Sequence, residues 1–272
     1  MIRHGVHPVT LDKRDYSYHR SFGTKRKALF FPDSLMLDLG LTVQDQVADG
    51  FPNGCTGYAQ ANAAGNADGV VYSGPYTYAK TCFMEWHDTT KPCFIRNSFQ
   101  STEIYGLLRE GQTDQEAESN RRGPYFNVYD DSNMDWFDSL RSAMLQQKIC
   151  ISVITPWFGE WESTNAGIVT KFFMYDGVPE HYPWHNWNVV GYKMINNEPY
   201  LIGKSWQGKS YGDGGFHYLD RETTNKVMAI YGSAAFIQPK AKPGDVVAIK
   251  ITIMQFVLVL LHRILGILQP LN

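Results

Sequence analysis

Val43-Gln44-Asp45-Gln46, followed by Gly54-Cys55-Thr56-Gly57-Tyr58-Ala59, decides how this chain is read. Cys55 opens a run of small residues, 55–69, with the pattern of a tightly packed helix. A cysteine at a helix start lies in the positive end of the helix dipole, which favours the thiolate over the thiol. The thiolate is the nucleophile. Gln46, with Gln44 as the alternative, stands a short loop upstream. Its amide can donate to an oxyanion beside the backbone N–H of Cys55. Such a constellation attacks a carbonyl.

A second stretch lies far downstream. Trp184-His185-Asn186-Trp187-Asn188-Val189-Val190-Gly191-Tyr192 reads as a strand with a histidine near its start. Tyr200-Leu201-Ile202-Gly203-Lys204-Ser205-Trp206 reads as the next strand, and the glycine-rich run 212–215 as a tight turn after it. An early cysteine and a histidine more than a hundred residues later fit a nucleophile and base from different parts of a fold. On these motifs the chain resembles the papain-like cysteine peptidases, in particular their bacterial and viral branch. The resemblance covers roughly 14–239, with Asp12-Lys13-Arg14-Asp15-Tyr16 at the family's usual opening segment.

The resemblance implies an α+β, two-lobed fold, a helical lobe facing a β-barrel-like lobe. It also implies roles: Cys55 as nucleophile, His185 as acid and base, Gln46 as oxyanion donor, and Trp206 with Ser205 as shield and support. Two features depart from the family pattern. The loop between Gln46 and Cys55 is longer, with 49–53 as the apparent insert. Lys204 stands where the family carries the asparagine that orients the histidine. A protonated lysine has only donors and cannot accept that bond. Strand alternation puts Lys204 and Trp206 on one face, and His185, Trp187 and Val189 on one face, so Lys204 is expected to look where His185 looks. Three readings of Lys204 stand open: turned out to solvent, desolvated and neutral, or the mark of a degenerate site.

The organisation is an N-terminal segment 1–36, a peptidase-like domain 37–238, a linker 239–248 and a hydrophobic C-terminal helix 249–272. The helical lobe, about 37–147, carries the Cys55 helix, a helix over 76–85 and another over 101–109 capped by Ser101 and Thr102. An amphipathic helix over 133–147 places Trp136, Leu140 and Met144 on one face. The strand-rich lobe, about 148–238, has strands at 149–155, 168–174, 187–194, 200–206, 215–219 and 228–237.

With 272 residues the chain can bury a sizeable core. Its net charge of −2 offers no electrostatic case for nucleic acid. Of the four cysteines, Cys150 sits in a buried strand pattern as an inert thiol, while Cys82 and Cys93 either bridge or remain reduced. No C-x-x-C pair is present, so no metal site is expected, and the proposed chemistry needs no cofactor. His181 and Glu180 read as a solvated loop, because Pro183 breaks any shared helical face. The first residues lack the apolar stretch of a signal peptide.

The segment 249–268 is strongly apolar, about 30 Å long as a helix, with Lys250, His262 and Arg263 interrupting it. It is expected to anchor the chain to other subunits or to a membrane, through residues 249–269, or to pack internally. The whole reads as a cysteine peptidase acting on a peptide or protein substrate, cell-wall peptides included. A phage virion component would suit the appended tail. The competing reading is a catalytically degenerate docking module on the same scaffold.

Overall fold

A helix built from glycine, alanine and small polar residues can be buried on every side, and α1 (Cys55–Asp68) is buried continuously from Cys55 to Asn66. The computed structural model describes residues 6, 16–17, 31–41, 44–128, 135–157, 166–169, 184–230 and 235–240. At Gly57, α1 meets α2 (Gly74–Met84) so closely that a Cβ there would lie 2.4 Å from the Tyr78 nitrogen. Only glycine permits that crossing. At its far end α1 stops on Gly69, whose φ of 70° suits glycine and whose N–H donates to the Gly65 carbonyl.

The other helices are fixed by local chemistry. The Ser73 hydroxyl caps α2 by accepting from the Tyr76 N–H at 3.1 Å. α3 spans Ile95–Ile104 and begins earlier than the sequence suggests, because Ile95 and Phe99, one turn apart, are both buried. Ser101 and Thr102 therefore lie inside it rather than at its cap; their hydroxyls donate back to the Ser98 and Phe99 carbonyls, both at 2.8 Å. α4 (Asp114–Ala117) opens with a reciprocal cap between Thr113 and Glu116. α5 (Trp136–Gln147) buries Trp136, Leu140 and Met144, the face that their spacing predicts.

The sheet is assembled from β1 (Tyr16–Ser17), β2 (Leu35–Met36), β3 (Phe126–Asn127), β4 (Ile151–Pro156), β5 (Trp184–Ile195), β6 (Glu198–Lys204), β7 (Phe216–Asp220) and β8 (Ala235–Ile237). Its eight strands run β1-β3-β8-β4-β5-β6-β7, with β2 paired to β5. All pairs are antiparallel except β1 with β3. β5 and β6 are joined by Asn196 and Asn197, at φ 51° and 66°, the two positive values that a tight two-residue hairpin requires. α6 (Arg221–Ile230) replaces the first part of the strand expected over 228–237. The Asp220 carboxylate accepts from the Thr223 N–H at 2.7 Å, and Val227 and Met228 turn inward on a helical period.

The sheet has a layer on each side. α5 and α6 cover Val153, Trp187 and Val189 in one core, while α1 lies against β4 and β5 through Ser152 and Asn188. This is the α+β arrangement expected. Among the described residues no helix is long and apolar enough to cross a membrane. The segment 12–15, the strand expected over 170–174, His181, the linker 241–248 and the hydrophobic helix 249–272 lie outside the described residues.

Glu103, on α3, carries a carboxyl that burial pushes up to about 7, partly offset by the Tyr125 backbone and the Gln238 side chain. The folded state thus holds a proton that the unfolded state releases near its ordinary 4.5. Stability therefore falls as pH rises through that window. Thermal melts of Glu103→Gln and the unchanged chain should diverge from acid to neutral pH, the variant gaining as pH rises. A constant difference would contradict the assignment.

Candidate active site

Cys55 is the first residue of α1, and neither a side-chain cap nor an acidic residue in the first turn blunts the helix's positive end there. The long loop before it is closed on itself. The Phe51 N–H donates to the Gln46 carbonyl at 2.7 Å, the Gly54 N–H to the Phe51 carbonyl at 2.8 Å, and the Tyr58 hydroxyl to Asp49 at 2.8 Å. That carboxylate and burial push the Tyr58 phenol well above its usual range, burial contributing most. The insert is thus a fixed turn. It holds the Gln46 carboxamide, whose Nε2 donates to the Pro52 carbonyl at 2.9 Å and keeps a second N–H. Gln44 faces elsewhere, donating to the Tyr72 carbonyl at 3.1 Å.

Two contacts join this loop to the downstream segment. The Gln46 N–H donates to the Trp206 carbonyl at 2.9 Å, and Asp45 bridges Gln207. Cys55, Trp184 and Trp206 share one buried cluster. Further along, Asn188 Nδ2 donates to the Ala59 carbonyl at 2.9 Å, one turn from Cys55.

The position of Lys204 is set by a bulge. From Ile195↔Glu198 to Gly191↔Ile202 the β5–β6 register is regular; continued, it would set Val189 opposite Lys204. Val190 is an extra residue there, so Asn188 pairs Lys204 instead. A slip of one residue turns every later side chain to the other face. Lys204 therefore does not look where His185 looks, as alternation without the bulge requires. It forms a fully buried ion pair with Asp38 at 2.7 Å, the side chains 1% and 2% exposed. The solvent-facing reading of Lys204 does not describe this arrangement. Cys150, close by, has its thiol pushed up to about 12 by burial first, then by Asp38, with Lys204 opposing.

The same slip brings Ser205 to His185. His185 Nε2 and Ser205 Oγ are 3.1 Å apart, and Ser205 Oγ donates to Gln207 Oε1 at 3.0 Å. Because the hydroxyl proton goes to Gln207, Ser205 accepts from His185 Nε2–H. That fixes the tautomer and leaves Nδ1 to exchange protons. Trp157 stacks edge-on against the imidazole with centroids 4.6 Å apart. Trp206 is pinned by donating from Nε1 to the Asn186 carbonyl at 2.8 Å. Ser205 as the imidazole's partner, Gln207 behind it and Trp157 beside it were not assigned these roles by sequence; a register placing the bulge at Val190 would have assigned the serine. Cys55, Gln46 and His185 are each 0% exposed.

No family model and no curated protein sequence matches the chain. Solved structures do. Xylellain, described as a cysteine protease from Xylella fastidiosa, superposes with a TM-score of 0.66 at 17% identity, covering 88% of this chain and 96% of that one. Procathepsin L2 from the Tenebrio molitor larval midgut gives 0.64 at 17% identity, covering 88% and 78%. Bromelain from Ananas comosus, solved with the E64 inhibitor, gives 0.57 at 14% identity, covering 77% and 100%. At such identities the likeness speaks for the fold.

The Lys204–Asp38 pair makes a separate prediction. Lys204→Met should cost about 3–5 kcal/mol in denaturant unfolding, because it strands a buried carboxylate. Lys204→Met with Asp38→Asn should cost clearly less than the sum of the single changes. Additive losses would show that the two charges do not act as a pair.

Proposed function

We propose, from the premise of a papain-like fold, that this chain is a cysteine peptidase that hydrolyses peptide bonds by a Cys–His mechanism. The observation that carries the reading is the imidazole of His185, held by the Ser205–Gln207 relay on the strand packed against the Cys55 helix. The description of xylellain as a cysteine protease supports the same reading.

The chemistry follows from the tautomer. His185 Nδ1 takes the Cys55 thiol proton, and the imidazolium is stabilised through its Nε2–H bond to Ser205. The thiolate attacks the carbonyl carbon, and its oxyanion is met by the Cys55 N–H and the second N–H of Gln46. As the C–N bond breaks, His185 returns the proton to the leaving amine. Water then attacks the thioester carbonyl and gives a proton to His185; as the C–S bond breaks, the carboxylic acid leaves and His185 returns the proton to the Cys55 sulfur. In this scheme Ser205, rather than a residue at 204, orients the histidine. Trp157 and Trp206 keep the ion pair dry. Lys204 acts as a structural cation, paired with Asp38 away from the imidazole's face. The apolar segment 249–269 would place the enzyme against other subunits or a membrane, a phage virion included.

A second reading, a degenerate docking module, is favoured by one observation: the three principal groups are fully buried, so a substrate must displace what covers them.

A peptidyl epoxide or fluoromethyl ketone decides between the two. The proposal expects one label per chain on Cys55, with hydrolysis of a peptide library abolished in Cys55→Ala. Ser205→Ala should lower kcat by about 10²-fold with little change in KM. Cys150, buried and held as a thiol, should stay unlabelled. A folded chain that neither labels at Cys55 nor cleaves any peptide supports the docking module instead.

A further inference from the structure

Cys82, His87 and Cys93 are separated in sequence as C-x₄-H-x₅-C but converge in space. The Cys82 and Cys93 sulfurs are 3.5 Å apart, Cys93 Sγ is 3.9 Å from His87 Nε2, and all three donor atoms lie within 4.8 Å of one another. A disulfide needs about 2.05 Å between sulfurs, and it needs no imidazole. Two thiolates about 2.3 Å from one tetrahedral zinc stand about 3.8 Å apart, and a thiolate and an imidazole nitrogen about 3.5 Å. The observed spacings are nearer the second geometry than the first.

We propose that Cys82 Sγ, His87 Nε2 and Cys93 Sγ form a binding site for a thiophilic divalent cation such as Zn²⁺, with the fourth position left to water. Three further observations support it. His87 Nδ1 donates to the Asp88 carbonyl at 2.8 Å, which orients the ring so that Nε2, the atom shared with Glu85 Oε2, also faces the Cys93 sulfur. Glu85 Oε2 is 3.1 Å from that Nε2, while Oε1 is held by the Phe94 N–H at 2.8 Å and Asn97 Nδ2 at 3.0 Å. The backbone between these ligands is strained: Trp86 has φ 60°, an outlier for a bulky residue, with its indole left 69% exposed. That turn brings Glu85 and His87 to one side of it. The sulfurs are buried and the imidazole side chain is 22% exposed, which leaves a path for the ion.

Binding would release a proton from each thiol and clamp the loop after α2 to the start of α3. The loop already holds the turn before Cys55, since Asn53 Nδ2 donates to the Thr90 carbonyl at 2.6 Å. The site is independent of the peptidase proposal and stands or falls without it.

The test uses the full chain, reduced and metal-free, titrated with Co²⁺ and separately with Zn²⁺. One Co²⁺ per chain should bind, with a thiolate-to-cobalt charge-transfer band and the visible bands of a tetrahedral site. Zn²⁺ should displace it and raise the melting temperature. Cys93→Ser should abolish the charge-transfer signature, and His87→Gln, a change at a partly exposed residue, should weaken binding by about 10- to 100-fold. Cys55→Ala and Cys150→Ser should leave the cobalt spectrum unchanged. The proposal is overturned if the reduced chain shows no thiolate–cobalt band, or if His87→Gln binds cobalt as tightly as the unchanged chain.

Discussion

One extra residue in β5 governs the rest. Val190 breaks the β5–β6 register, and its carbonyl accepts from the Leu37 N–H at 2.8 Å. That bond seats β2 beside Gly191, where a Cβ would lie 2.2 Å from the Leu35 carbonyl oxygen. Asp38 follows directly and reaches Lys204. Bulge, glycine, short strand and ion pair are thus one device. It turns a cation away from the imidazole and delivers a hydroxyl in its place. A buried charge pair contributes little net stability against an apolar pair of the same shape. Its effect here is to specify which face residue 204 occupies.

The second constraint is the crowding around α1. A helix buried on all sides must satisfy its neighbours' polar groups as well as fill space. Asn188 does so from β5, and Gln60 Nε2 reaches the Ser152 hydroxyl on β4 at 3.2 Å. These bonds set the height of the helix on the sheet. They therefore set where its first residue, Cys55, stands relative to the β5 strand. The loop before it inherits that position through Gln46 and Trp206.

Much of this was legible in the chain. The small-residue run announced α1, and Trp136, Leu140 and Met144 announced the buried face of α5, because each signal is local. The register of β5 on β6 was not legible, since nothing in Val189-Val190-Gly191 marks which residue is the extra one. Lys204 was misplaced for that reason, and Ser205 was undervalued with it. Ser101 and Thr102 look like caps until Ile95 and Phe99 are seen to be buried. The meeting of Cys82, His87 and Cys93 escaped a search for close cysteine pairs, because a strained turn at Trp86 and the return to α3 bring them together.

The strand order has a consequence for how the molecule is made. β8, near the end of the described chain, lies between β3 and β4. Until residues 235–237 emerge from the ribosome, among the described residues β3 has only the two-residue β1 beside it and β4 lacks its β8 partner. Synthesis adds about 5–20 residues per second, so those edges wait for seconds. A chain interrupted just before β8 would therefore lack the strand that joins β3 to β4.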